Sequence, residues 1–324
     1  MRAYIIRRLL MVIPMMLGIT LISFFIMHLA PGDPTELMTN LNPDVSPESI
    51  TRLRELYHLD QPLAAQYFLW LRDIATLDFG HSFSQDARPV LDKILERLPI
   101  TILINVLSLI VALAVALPLG VFSAVRQYSL FDKLASLFVF FGFSMPTFWL
   151  ALLLMMLFGV QLGWFPVSGV VSLNHEQLSA LGKAGDYAWH LTIPVLMTGL
   201  TSLAGISRYA RQSMLEVIRQ DYMVTARAKG LPERIVIYKH GLKNALLPIV
   251  TLMALSIPGL IGGSVIFETI FSIPGAGQLF YQAVMSRDYP LVMGELVLGA
   301  FLTLLANLLA DVAYAFVDPR ISYD

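Results

Sequence analysis

The residues best suited to chemistry in this chain are a His-Glu pair, a few carboxylates in apolar stretches and one basic segment. His175-Glu176-Gln177-Leu178-Ser179 begins like the H-E-x-x-H motif of zinc proteases, but Ser179 stands where the second histidine ligand belongs. The chain contains no cysteine, which excludes disulfides and thiolate metal sites. We therefore predict no metal site and assign this segment to a loop.

Signatures of two enzyme classes are missing from the sequence. An intramembrane hydrolase would need a G-x-S-x-G turn, an H-E-x-x-H helix or a usable carboxylate pair within one span, and none occurs. An ATPase would need a G-x-x-x-x-G-K-[ST] loop to hold the phosphates, and that loop is missing as well. We predict that the chain has no catalytic residues and binds no cofactor itself.

The composition indicates a membrane protein. The chain is 56% hydrophobic and only 14% charged, whereas soluble domains carry about 25% charged residues. A membrane-spanning helix needs about 20 mostly apolar residues. Six stretches meet this need: Leu9–Gly32, Leu98–Val125, Leu134–Asn174 (as a span to about Gly159), Tyr187–Ser207, Asn244–Phe267 and Leu291–Ala315. The sequence predicts an all-α polytopic protein with six transmembrane helices.

The distribution of basic residues predicts the orientation. If the N-terminus is cytoplasmic, that side holds 14 of the 22 Lys and Arg residues, and eight of them lie between Arg208 and Lys243. Cytoplasmic loops carry an excess of positive charge. We therefore predict that both termini lie in the cytoplasm.

The segment after the first span has amphipathic patterns. Three surface helices are predicted: over Ser46–Leu59 with Ser46 as N-cap, over Asp60–Leu71, and over Arg88–Pro99, ending before Pro99. We divide the chain at residue 97 into a first part, 1–97, and a five-helix core, 98–318, with a cytoplasmic loop at 210–243.

The basic segment from Ala226 to Pro248, together with the five residues before it, has its own helix signals. Asp221 suits an N-cap, Gly230 suits the left-handed residue beyond a helix end, and Pro232 prevents the helix from continuing. They predict a short helix from Tyr222 to Lys229. A basic loop is also what attracts anionic lipid, but lipid does not require a helix of fixed length. The pattern favours a rigid contact for a protein partner.

This segment resembles the cytoplasmic "EAA" loop of membrane subunits of binding-protein-dependent ABC importers, in the form of the peptide and nickel branch. The matching positions are Asp221, Tyr222, Thr225–Leu231, His240, Leu242 and Asn244–Pro248. Further motifs of the branch follow in order along nearly the whole chain: "APGDP", "LDQPLAAQY", "LDFGHS", "FGFSMPTFWLALLL", "LGWFPVSG", "ETIFSIPGAGQL", "RDYPLV" and "NLLADVAYAFVDPRI". The chain departs from the general motif because Val224-Thr225-Ala226 replaces Glu-Ala-Ala. Arg227 and Lys229 are possible substitutes for the missing glutamate.

The resemblance implies a type I importer permease in the inner (cytoplasmic) membrane of a bacterium or archaeon. It implies four kinds of partner: a second homologous permease subunit, two cytoplasmic subunits that bind ATP and Mg, an extracytoplasmic solute-binding protein, and the lipid bilayer. No nucleic-acid partner is expected. The residues it assigns to ATPase coupling are Asp221, Tyr222, Thr225, Ala226, Arg227, Ala228, Lys229 and Gly230. The cargo it implies is a di- or oligopeptide, with nickel or another small solute as the alternative.

An ion-driven secondary transporter is the alternative outside the family. Such proteins show broken helices in two matched halves, and the sequence has no half-to-half symmetry. Pro146 and Pro258 nevertheless predict bends at Met145–Pro146 and Pro258–Gly259.

Three further sets of residues are candidates for function. The outer gate or binding-protein contact is assigned to Glu268, Pro274, Gly275 and Gly277, with packing inside the subunit as the alternative. Glu295 either lines an outer cavity, where it meets a peptide amino group, or extends to water. Asn307 and Asp311 share a helix face and are assigned to a contact with a neighbouring helix.

Overall fold

The computed structural model describes residues 2–29, 51 and 59–317. Within these ranges the chain is helical, and its β pairing is limited to one isolated bridge between His81 and Pro89. The helix predicted over Ser46–Leu59 and the "APGDP" motif lie almost entirely outside the described residues.

Eleven α-helices of six residues or more follow one another in the described part of the chain. They are α1 (Arg2–Leu29), α2 (Leu63–Ala75), α3 (Val90–Val125), α4 (Leu130–Ser144), α5 (Thr147–Leu154), α6 (Ala180–Ile218), α7 (Asp221–Ala228), α8 (Leu247–Ser256), α9 (Val265–Ile270), α10 (Ala276–Met285) and α11 (Tyr289–Val317). Further helical segments lie between them. They are the π-helical segments Met155–Gln161 and Val236–Leu242, the 3₁₀-helical turns His175–Gln177 and Pro258–Leu260, and the short α-helical turns Glu233–Ile235 and Lys243–Ala245. Helix α2 confirms the second predicted surface helix.

Four of these helices, α1, α3, α6 and α11, are long and apolar enough to cross a membrane. Two bent pairs pass the same test, α4 with α5 and its π-helical extension, and α8 with the segment from Pro258 to Ile270. The described residues therefore contain four candidate spans, or six if each bent pair crosses once.

Both bends predicted from proline are confirmed. Helix α4 ends at Ser144, Met145 is extended with φ −88° and ψ 139°, and Pro146 precedes α5. Helix α8 ends at Ser256, and the chain turns by 45° through Pro258. Proline lacks the N–H that would continue the helical hydrogen bonds at both breaks. At Pro146 it also disfavours helical geometry in the preceding residue, whereas Ile257, before Pro258, stays helical with φ −54° and ψ −45°.

The predicted helix end before Pro99 is wrong, because α3 runs through Pro99 without a break. Val90 and Ile94, ahead of the proline, are buried in one apolar cluster with Leu291 and Leu298 of α11. A proline inside a helix costs about 3 kcal/mol, and burying two large side chains offsets that cost. The division at residue 97 therefore falls inside a helix.

Helices α3 and α6 pack closely along their length because small residues line the contact. A Cβ added to Gly120 would lie 2.7 Å from the Ser207 carbonyl oxygen, and one added to Gly199 would lie 2.9 Å from the Ser108 oxygen. Small residues let two membrane helices approach to backbone contact. This pair forms the centre of the fold and reaches the segment that carries α7.

Candidate functional sites

Helix α7 covers nearly the predicted range, but its N-cap differs from the prediction. Gln220 occupies the N-cap position with extended geometry and makes no side-chain capping bond. Asp221 is instead the first helical residue, where a carboxylate is favoured by the positive end of the helix dipole. Gly230 has φ +75°, as the sequence predicts. A residue with a side chain adopts this left-handed geometry only at a cost.

One side of α7 packs against the rest of the subunit. Met223 is fully buried and Ala226 is 6% exposed, and both pack against Val236. Ala226 is among the residues assigned to ATPase coupling, and in this structure it lies on the buried side that anchors α7. The other assigned residues are exposed: Asp221, Tyr222, Thr225, Arg227, Ala228, Lys229 and Gly230, together with Val224.

Two methionines connect α7 to the long helices. A Cβ on Gly241 would lie 2.8 Å from the Met214 methyl and 3.2 Å from the Met223 methyl, so both side chains pack on this glycine. Met214 belongs to α6 and shares a buried cluster with Val121 of α3. Met223 of α7 and Met214 of α6 therefore form one continuous packed contact that reaches α3.

An ion pair closes the turn that follows α7. The Arg227 guanidinium donates to both carboxylate oxygens of Glu233, at distances of 2.9 to 3.3 Å. This hydrogen bond lowers the pKa of Glu233 and raises that of Arg227. Both side chains are exposed, so the pair contributes at most about 1 kcal/mol. Arg227 is thus engaged within the chain, whereas Lys229 is exposed.

A second ion pair, which sequence reasoning missed, joins the first turn of α4 to α6. Arg211 donates through Nε and Nη2 to the two oxygens of Asp132, at 2.9 and 2.8 Å. Asp132 is buried and also accepts from the backbone N–H of Tyr128 at 2.9 Å. Arg211 lies close to the end of the helix that leads into α7. The pair therefore fixes α6 relative to the start of α4.

We predict that Arg211→Ala destabilises the subunit by about 2 kcal/mol, because it leaves the Asp132 carboxylate buried without its cation. The measurement is the denaturation midpoint of the purified complex in detergent. Arg208→Ala, an exposed arginine on the same helix, is the matched control and should change stability by less than about 0.5 kcal/mol. Equal effects of the two substitutions would contradict the prediction.

Glu268 lies at the centre of a buried cluster around the "SIPGAG" loop. Its Oε1 accepts from Thr101 Oγ1 at 3.0 Å, and its Oε2 accepts from the backbone N–H of Gln278 at 2.8 Å. Thr101 Oγ1 in turn accepts from the N–H of Ala276 at 2.9 Å. Glu268 is 4% exposed. In this conformation its carboxylate stabilises the loop from within and is not accessible to another protein.

The other residues assigned to the gate are placed by the same cluster. Gly275 and Gly277 are buried, and a Cβ on Gly275 would lie 2.5 Å from the Glu268 carboxylate. Pro274 is half-buried. Gly275 leaves room for the Glu268 carboxylate, and Gly277 leaves room for the backbone of Gly263 and Val265. The loop therefore packs tightly around the carboxylate.

Two motifs that are far apart in sequence are in contact in the folded chain. The Ser82 hydroxyl of "LDFGHS" donates to Asp288 of "RDYPLV". Lys93 donates to Ser82 at 3.0 Å and pairs with Asp86 at 2.7 Å. The hydrogen bond from Lys93, with another from Ser84, lowers the pKa of Asp86 to about 2. These contacts tie the segment before α3 to the start of α11.

A third polar cluster surrounds Asp186 near the start of α6. Its carboxylate accepts from the N–H and hydroxyl of Ser172 at 2.9 and 2.6 Å. His175 Nδ1 lies 2.6 Å and His190 Nδ1 3.2 Å from it. The sequence signal was the i, i+4 spacing of Asp186 and His190. Within the described residues no group of three or more His, Cys, Asp and Glu side chains is placed to hold a metal.

The remaining candidates lie on α11. Glu295 faces a cavity, and its Oε2 is buried. Asp311 Oδ2 lies 3.1 Å from Arg8 Nη2, which joins α11 to α1. Asn307 is exposed in this chain. The assignment of Asn307 and Asp311, one turn apart, to a shared contact with a neighbouring helix stays a prediction.

The fold and these sites define a polytopic α-helical membrane protein whose exposed helix α7 is anchored on its long central helices. Residues 116–323 match the family model of the binding-protein-dependent transport system inner membrane component, and residues 1–105 match the model of its N-terminal part. The chain belongs to this family, as the resemblance predicts. The boundary between the two models falls inside α3, so the division into 1–97 and 98–318 stays a prediction.

Several curated relatives are similar over the full length. The oligopeptide transport system permease protein AppB of Bacillus subtilis is 46% identical over 323 residues, with 100% of both chains covered. The dipeptide transport system permease protein DppB of Alkalihalophilus pseudofirmus is 38% identical over 336 residues, again with full coverage of both. DppB of Escherichia coli K12 is 39% identical over 339 residues, covering 100% of this chain and 99% of the relative.

Proposed function

We propose that this chain is one of two membrane subunits of an ATP-driven peptide importer and that α7 is its coupling helix. The observation that carries the proposal is the geometry of α7: one side is anchored through Met223 and Ala226, and the other is exposed. A short rigid helix of this kind fits a groove in another protein. The relatives named as peptide permeases support peptides as the cargo, and none of those names favours nickel.

The proposed topology has six transmembrane helices with both termini in the cytoplasm. The two bent pairs each count as one crossing in addition to α1, α3, α6 and α11. The loop at 210–243, which contains α7, then lies in the cytoplasm, in agreement with the positive-inside rule. A second permease subunit completes the translocation path, and an extracytoplasmic binding protein delivers the cargo.

The mechanism follows from the anchoring of α7. Two cytoplasmic subunits bind ATP and Mg and move towards each other as they close, and this motion displaces the α7 helices seated in them. Met223 and Met214 pass the displacement to α6 and α3. Packed helices respond by switching between two arrangements rather than by deforming continuously. The path then opens alternately to the two sides.

Disulfide crosslinking tests this proposal, since the chain has no cysteine of its own. We expect Ala228→Cys, which is exposed, to crosslink to a cysteine in the groove of an ATPase subunit in the purified complex. Ala226→Cys is the matched control, because its position is buried against Val236 and should not crosslink. The proposal would be contradicted if neither cysteine crosslinked to an ATPase subunit, whether the complex is resting or hydrolysing ATP.

Uptake measurements separate the proposal from an ion-driven transporter. Proteoliposomes that contain the whole complex should take up peptide under two conditions. ATP must be present on the side that the ATPase subunits face, and the binding protein must be present on the opposite side. Uptake driven by an ion gradient through this chain alone would overturn the proposed function.

A further inference from the structure

A cavity of about 220 Å³ lies between α3, the segment around α9 and α10, and α11. Its walls are apolar side chains and glycine backbone, together with one carboxyl side chain, that of Glu295. Residues that define it include Leu98, Gly262, Phe280, Glu295, Leu298 and Gly299. No cationic side chain is among the described residues that line it.

One oxygen of the Glu295 carboxyl group has no hydrogen-bond partner among the described residues. This atom, Oε2, is buried. An ionised carboxylate without a partner costs several kcal/mol in an apolar setting. A cationic group that enters the cavity removes this cost, and the apolar walls strengthen the attraction because the local dielectric constant is low.

The lining selects the kind of cation. Calcium and magnesium require six or more oxygen ligands, many of them carboxylates, and the cavity supplies a single carboxylate. A primary ammonium on an apolar organic group matches the walls better, since its charge meets Glu295 and its carbon atoms meet Leu98 and Phe280. Whole ligands occupy pockets of about 300–1,000 Å³. The cavity is therefore sized for one end of a longer molecule.

We propose that this cavity binds the N-terminal ammonium group and first side chain of a peptide on its way through the permease. This inference rests on the proposed function, because it names a subsite for the proposed cargo. Glu295 supplies the charge, and the wall formed by Leu98, Phe280 and Leu298 receives the side chain.

The test uses a single reporter cysteine beside Glu295. A Cβ at Gly299 would have open space around it, so Gly299→Cys should fit without strain. The complete complex, in nanodiscs of phosphatidylcholine and phosphatidylglycerol, is treated with a thiol reagent that carries an ammonium group or with a neutral reagent of the same length. Mass spectrometry of this subunit gives the two rates of modification. They are measured for Gly299→Cys alone and for Gly299→Cys combined with Glu295→Gln.

We expect Glu295→Gln to lower the ratio of the ammonium rate to the neutral rate by about tenfold, because a buried charge concentrates the opposite charge around it. Glu176→Gln, which removes an exposed glutamate, is the control and should leave the ratio unchanged. A tripeptide with a free N-terminus should protect the cysteine, and the same tripeptide with an acetylated N-terminus should not.

Each of the following results would overturn the proposal. The first is an unchanged ratio in Glu295→Gln, and the second is equal protection by both peptides. The third is a cysteine that reacts in the isolated subunit but not in the complex, which would show that the second permease covers the cavity. Leu296→Cys, on the same cavity wall, is a second reporter, and if neither cysteine reacts anywhere, no ligand enters.

Nanodiscs that contain phosphatidylethanolamine test the other source of a primary ammonium group. Protection by that lipid in the absence of peptide would assign the cavity to lipid and overturn the peptide assignment. Peptide uptake by the unmodified complex is measured separately, so failure of the proposed function is distinguishable from failure of this site.

Discussion

Gly263→Ala is expected to destabilise the subunit by about 3–4 kcal/mol and to reduce recovery of the assembled complex. A Cβ at this position would lie 2.2 Å from the backbone nitrogen of Gly277 and 2.8 Å from its Cα. Both atoms belong to the main chain, so no flexible side chain can move aside. The segment that leads into α9 must separate from the segment that begins α10.

The clash matters because these two segments are held together around a buried carboxylate. Glu268, on α9, accepts a hydrogen bond from the N–H of Gln278, on α10. If the segments separate, that bond lengthens, and the carboxylate loses one of the partners that offset its burial. The clash and the hydrogen-bond loss act together, and we therefore place this effect above that of Arg211→Ala.

The matched control is the neighbouring glycine. A Cβ on Gly262 would meet only the Gly259 carbonyl oxygen, at 3.8 Å, which is ordinary van der Waals contact. Both substitutions reduce the entropy of the unfolded chain equally. The denaturation midpoint should fall for Gly263→Ala and stay close to the original value for Gly262→Ala. A similar midpoint for the two variants would show that the segments are less tightly packed than the structure indicates.

The features predicted well from sequence are those that depend on local chemistry. The apolar stretches predicted helices because each is long enough to span a membrane. Pro146 and Gly230 predicted a helix break and a left-handed residue, since backbone sterics alone determine both. Pro99 was misjudged by the same rule. Its helix is stabilised by packing against α11, which local sequence does not reveal.

Contacts between distant residues could not be predicted. Asp132 and Arg211 are 79 positions apart, and Ser82 and Asp288 are 206 apart. The motifs containing Ser82 and Asp288 were recognised separately, but their pairing follows from the tertiary fold. Glu268 was assigned to an outer gate or a binding-protein contact, with packing inside the subunit as the alternative. Its burial depends on how the loop folds back over it.

The coupling role of α7 leads to the second large effect. Val224→Asp is expected to reduce ATP-dependent peptide uptake at least about tenfold, because it places a charge where an ATPase groove would have to desolvate it. Val224 is 58% exposed in the isolated chain, a high value for an apolar side chain on a helix anchored by its neighbour Met223. Stability of the subunit should change by less than about 0.5 kcal/mol, because the side chain contributes little to its own fold.

Val224→Thr is the matched control, since it keeps the branched shape and introduces no charge. Its uptake should stay within about twofold of the original protein, which corresponds to less than about 0.5 kcal/mol. Peptide-stimulated ATP hydrolysis should fall with uptake in Val224→Asp, since a helix displaced from its groove transmits motion in neither direction. Normal uptake by Val224→Asp in a correctly assembled complex would mean that the exposed side of α7 contacts lipid or solvent. The rigid turn at Gly230 would then need an explanation other than force transmission.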